Sequence, residues 1–185
     1  IRMDPPKGRL PAWTRVLPHY LKPLGYRSYH AGKWHLLGAP KPVTDGGFGG
    51  SYWFEDWDRY FSPAKHHEND VLAPPVKPDS GYYATTAFAN HANDSLKDHA
   101  RNHPAQPFLL YLAFISPHFP LHALPEDIAR YRDRYLAGWD VVREKRWQRL
   151  REMGVVNSAL PPLDPKLTPR YFKPGTLEQI GPGEI

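Results

Sequence analysis

Lys33, His35 and His118 are the residues whose types and positions could do chemistry together. In "GYRSYHAGKWHLLGAP", residues 25–40, the lysine and His35 stand one tryptophan apart, so an extended backbone aims both the same way. His118 closes the apolar run "PFLLYLAFISPH" at 107–118. Lysine brings a compact positive charge with three donors, and histidine donates to an anion or shuttles a proton near neutral pH. The set suits a tetrahedral oxyanion, combining charge stabilisation with proton transfer. None of the three is an obvious nucleophile, so the nucleophile has to come from elsewhere. A lone histidine is more often structural or at the surface; placement at two strand ends is what favours a site here.

Other arrangements carry less. His118 and His122 are four apart, as zinc ligands on a helix would be, but Pro117 and Pro120 argue against a helix there. His66, His67, Glu68 and Asp70 read as a solvated loop before they read as a metal site, and Asp56 and Asp58 as loop residues. Ser28 and Ser116 lack the GxSxG context of a nucleophilic serine.

The elements that must position these residues follow from periodicity. Apolar residues from Leu10 to Leu24 recur at three and four, predicting a helix opened by Pro11, kinked at Pro18 and stopped by Gly25. Residues 26–34 read as a strand. Residues 38–80 read mostly as loop, with aromatic anchors at Phe48, Tyr52, Trp53, Phe54, Trp57, Tyr60 and Phe61; these pin the loop or, alternatively, line a substrate cleft. A helix is expected over 82–101, and a strand buried on both faces over 107–118. Residues 125–153 read as helix, split at Gly138 and ended by Gly154, with Ile128, Tyr131, Tyr135, Trp139, Val142, Trp147 and Leu150 on its apolar side. The tail, 155–185, is proline-rich and aperiodic. Alternating helices and strands predict an α/β fold whose ligands gather at strand carboxyl ends. Lys33 and His35 lie at the end of the first strand, His118 at the end of the second.

Composition bounds the rest. The chain has 185 residues, enough for one domain or a large piece of one, and 41% apolar content can build a core. A first residue of Ile1 and 22 prolines suit a segment cut from a larger protein. The formal charge of +5 mildly favours anionic partners. The basic residues are scattered, and the group Arg143, Lys145, Arg146, Arg149 and Arg151 is interrupted by Glu144, so nucleic acid is not the expected partner. No cysteine is present, which excludes disulfides, thiolate metal sites and a cysteine nucleophile within these residues. No signal peptide or membrane-spanning run is seen.

"GYRSYHAGKWHL" resembles a signature of the sulfatases, Gly-Tyr-x-Thr/Ser-x-x-x-Gly-Lys-Trp-His-Leu, matched by Gly25, Tyr26, Ser28, Gly32, Lys33, Trp34, His35 and Leu36. "PFLLYLAFISPHFPLHALPEDIARY" and the preceding "GYYATTAFANHANDSL" are similar to a later strand, its loop and the helix before it, so the resemblance covers most of 10–154. It implies a formylglycine-dependent hydrolase of the alkaline-phosphatase superfamily that uses calcium. By the resemblance, Lys33 contacts the sulfate and the hydrated aldehyde, His35 is the base that expels sulfate, and His118 binds sulfate and protonates the leaving oxygen.

The departures define what is expected of the chain. The family's Cys/Ser-x-Pro-x-Arg motif, its calcium-binding aspartates and its Asp-Asn-Gly are absent, and Leu37 intervenes before Gly38 where many relatives run from Leu to Gly. The expectation is therefore the central part of one catalytic domain over 1–185, a partial α/β/α sandwich with a mostly parallel or mixed sheet, truncated at both ends and inactive alone. Its expected partner is a small sulfate ester or sulfated glycan, in a periplasmic, extracellular or lysosome-like compartment. Alternatives are a phosphodiesterase or phosphonate hydrolase of the same superfamily, and a non-catalytic anion-binding remnant. Which ester, and which oligomeric state, the sequence leaves open.

Overall fold

A computed structural model describes residues 10, 11 and 13–162. The chain divides into two compact units at the junction of Pro125 and Glu126.

The first unit is built on a five-stranded sheet. Its elements run α1 (Leu17–Leu21), a 3-10 turn (Lys22–Leu24), β1 (Arg27–Gly32), β2 (Gly50–Phe54), β3 (His66–Glu68), β4 (Val71–Leu72), α2 (Ala84–Asn102) and β5 (Phe108–Ala113). The spatial order is β4-β3-β2-β1-β5. β1 pairs in parallel with β2 and β5, whereas β2-β3 and β3-β4 are antiparallel, so the sheet is mixed.

The helix expected over 10–24 is shorter. It begins after Val16, which places Pro18 in the first turn, where a missing N–H costs nothing. The helix thus carries the proline in its first turn instead of kinking there. Gly25, at φ 83°, ends the turn that follows, as expected.

The segment read as loop, 38–80, holds β2, β3 and β4. His66 and His67 consequently belong to a strand, not a solvated loop. His66 is buried, its Nδ1 3.2 Å from the Tyr52 hydroxyl and its Nε2 2.6 Å from the Pro74 carbonyl. His67 stacks on Trp53 and lies 3.0 Å from Glu55.

β5 is also corrected. Among the described residues it forms the edge of the sheet and is half exposed, with Phe108 and Tyr111 open, so it is not buried on both faces. Leu110 and Leu112 do pack on the core formed by Ala31, Tyr52, Phe54, Tyr60, Ala84, Phe88, Ala92 and Ile115. Alternation sends Leu109 and Tyr111 to the opposite face, where they line a cleft with residues of α1.

α2 buries Ala84, Phe88, Ala92 and His99 along one face. Its first N–H donates to the Tyr60 carbonyl, 2.8 Å away, so the aromatic loop caps the helix. At its other end His99 bridges the Tyr29 hydroxyl (3.0 Å) and the Gln106 carbonyl (2.9 Å), tying α2 to β1 and to the approach into β5.

His30 faces away from α2. It is 2% exposed, packed against the rings of Trp34, Phe48 and Tyr111, with Nδ1 2.8 Å from Ser51 Oγ. Burial pushes its pKa down to about 4, and the Lys33 backbone offsets only part of this. A depressed imidazole pKa means the unfolded chain takes up a proton first as pH falls. The stabilisation is complete above about pH 6.5 and is lost between there and about pH 4, amounting to about 3 kcal/mol. Urea midpoints at pH 7 and pH 4.5 should differ accordingly, and His30→Leu should flatten that difference.

In the second unit, α3 (Pro125–Tyr131), a 3-10 turn (Arg132–Tyr135) and α4 (Trp139–Glu152) occupy the helical stretch, broken at Gly138 as the sequence predicts. The tail beyond residue 162 lies outside the described residues.

Candidate active site

The parallel β1-β5 pairing runs in register from Arg27 opposite Phe108 to Gly32 opposite Ala113, so both strands end side by side. One more backbone bond follows: the Lys33 N–H donates to the Ala113 carbonyl at 2.7 Å. Lys33 therefore leaves the sheet from a fixed point at the carboxyl edge. His118 is not at the strand terminus. It sits five residues past Ala113 in a loop, its N–H bonded to the Ile115 carbonyl and its own carbonyl accepting from the buried Tyr60 hydroxyl at 3.3 Å.

The structure brings Lys33 and His118 to a common neighbour. Lys33 Nζ lies 4.9 Å from the centroid of the Trp57 ring, and the His118 ring lies 4.8 Å from the same ring, nearly perpendicular to it. His118 is exposed, and its Nδ1 is 2.6 Å from the Phe119 carbonyl. That contact requires Nδ1 to carry the proton, which leaves Nε2 as the nitrogen able to exchange one with a ligand.

His35 is exposed as well. With Lys33 it lines a cleft of about 540 Å³ whose other walls include Leu17, Trp34, Phe48, Tyr111 and Phe114. Trp34 is fixed by its indole N–H, which donates to the Ala39 carbonyl at 2.7 Å.

Of the aromatic anchors, Tyr52, Phe54 and Tyr60 are buried in the core, whereas Trp57 is half-buried at the site. Sequence reasoning grouped them, and spacing offered no signal to single out Trp57. Asp56 is a loop residue, as expected: its carboxylate accepts from the Ala64 N–H at 2.7 Å and from the Lys65 N–H. His122 stacks on Tyr60, in keeping with the rejected zinc spacing.

The profile of the sulfatase family matches residues 2–162. The chain belongs to the sulfatase family. It is 31% identical over 167 residues to an uncharacterized sulfatase of Schizosaccharomyces pombe, covering 81% of this chain and 29% of that one. An arylsulfatase of Klebsiella aerogenes is 27% identical over 169 residues, with 83% and 34% covered. The N-acetylgalactosamine-6-sulfatase of Homo sapiens is 31% identical over 157 residues, with 74% and 28% covered. This sulfatase chain thus spans about a third or less of the length of these relatives. The crystal structure of Ps i-CgsB superposes with a TM-score of 0.50 at 23% identity, covering 62% of this chain and 29% of that one, a likeness of fold.

The family implies calcium. Among the described residues, no group of three or more His, Asp or Glu side chains is arranged to hold a metal ion. The described residues do not fit that ion. No helix among the described residues is long and apolar enough to cross a membrane.

Proposed function

We propose that this sulfatase chain supplies the sulfate-binding and acid–base residues for hydrolysis of a sulfuric ester. The observation that carries the reading is the meeting of Lys33 and His118 at one ring beyond the paired ends of β1 and β5. The Lys33 ammonium neutralises the anionic oxygens of the sulfate. The His118 imidazole, polarised through Nδ1, donates from Nε2 when protonated, first to the sulfate and then to the ester oxygen as it departs. His35, which lines a cleft together with Lys33, serves as the proton acceptor on the attacking side. The nucleophile is not among the three.

Substrates of the relatives are named as aryl sulfates and as a 6-sulfated N-acetylgalactosamine. We propose the same broad class here, a sulfate ester on an aromatic or sugar alcohol. Titrating inorganic sulfate at constant ionic strength, while following the His118 ring nitrogens by NMR, tests the site directly. Lys33→Ala and His118→Ala should each weaken sulfate binding by about tenfold, the loss of one charge-assisted hydrogen bond. Unchanged affinity in both would refute the site, and tighter binding of inorganic phosphate would favour a phosphoester hydrolase.

A further inference from the structure

Resting on the sulfate-ester reading, we propose that Trp57 is a positioning residue, whose ring sets Lys33 and His118 against a common wall and thereby fixes where the anion binds. The lysine stem is long and flexible, and without a partner its ammonium would sample many rotamers. The face of an indole attracts a cation, and Lys33 Nζ lies 4.9 Å from the Trp57 centroid. His118 packs against the same ring at 4.8 Å and 78°, with Nδ1 already committed to the Phe119 carbonyl. One side chain thus limits both the reach of the cation and the swing of the imidazole.

Trp57 is itself well anchored. It packs against the buried core cluster, which contains Tyr60 and Ile115. On one side, Asp56 closes the loop through the Ala64 and Lys65 N–H groups. On the other, Tyr60 is 1% exposed; its carbonyl caps α2 and its hydroxyl donates to the His118 carbonyl. The loop holding the wall and the loop holding His118 are therefore fastened to each other. Neighbouring aromatics in the segment place their rings in the core; Trp57 places its ring at the chemistry.

Two measurements on the full chain test this. In the unsubstituted protein, the ring current of Trp57 should shift the Lys33 ε-methylene protons upfield; random-coil shifts there would overturn the contact. In sulfate titrations, Trp57→Leu should weaken binding roughly two- to fivefold, in line with a cation–π contact of ordinary strength. It should also broaden or move the His118 ring resonances. Trp57→Phe, which keeps an aromatic face, should restore most of the affinity. If Trp57→Leu binds sulfate like the parent while Lys33→Ala and His118→Ala do not, the positioning role fails and the site stands. If none of the three weakens binding, the site reading itself fails, and this inference with it.

Discussion

Replacing Lys33 or His118 by alanine is expected to lower turnover of an aryl sulfate by about two to three orders of magnitude, the usual cost of deleting one preorganised donor at a developing anion. The expectation applies to a protein in which these residues stand beside the nucleophile that the sulfatase resemblance calls for. The two variants should differ in kind. In the role proposed for it, Lys33 touches the anion in ground and transition states alike, so its loss should raise KM as well as lower kcat. In the role proposed for it, His118 hands over its proton as the ester bond breaks, so its loss should fall mainly on kcat. It should also be milder for esters of acidic phenols, whose oxygen leaves without help. Release of inorganic sulfate from a series of aryl sulfates measures both. Near-parental rates in either variant would remove that residue from the mechanism.

Gly32→Ala is expected to destabilise the fold by about 3–5 kcal/mol, enough to unfold a domain of ordinary stability or bring it close to that point. Gly32 has φ +124°, outside the range open to side chains, and a Cβ built there would meet the Ala113 carbonyl oxygen at 1.9 Å. The same oxygen accepts the Lys33 N–H, so a methyl group at residue 32 would pry apart the bond that positions the neighbouring lysine. Gly25 supplies the control. Its φ is +83°, but a Cβ there would meet nothing within 4 Å, so Gly25→Ala should cost only about 1–2 kcal/mol. Chemical denaturation of the two variants compares them. Equal losses would show that the close approach of β1 to β5 is not what selects glycine.

That glycine lies within the stretch most legible in the sequence. The Gly-Lys-Trp-His pattern revealed a family, and the apolar run at 107–118 revealed a second strand, because both are local. What failed was local too, but ambiguous. A run such as "FLLYLAF" is apolar enough for a central strand, yet among the described residues β5 lies at the edge of the sheet and leaves Phe108 and Tyr111 exposed. Glycines and prolines around "GGFGGSYWFEDW" hid three short strands, because the partners that order them lie partly in the same irregular stretch, as His66 does for Phe54, and partly in β1, about twenty residues earlier. Pro18 looked like a flaw within a helix because the spacing of Leu10, Trp13 and Leu17 overstated where that helix begins. Trp57 could not be told apart from its aromatic neighbours, since what distinguishes it is contact with Lys33 and with a histidine far along the chain.

That distance has a kinetic meaning. The antiparallel pairs β2-β3 and β3-β4 join near neighbours, whereas β1 must find β5 across the entire β2-to-α2 excursion. Long-range parallel pairing pays its loop-closure entropy before it returns any contact, so it is the slow event in assembling such a sheet. Lys33 stands just beyond the last rung of that closure, and His118 follows in the loop five residues past Ala113. An anion bound as proposed, by both residues, would bridge the two ends of that excursion and act as a clasp, binding the closed chain and not the open one.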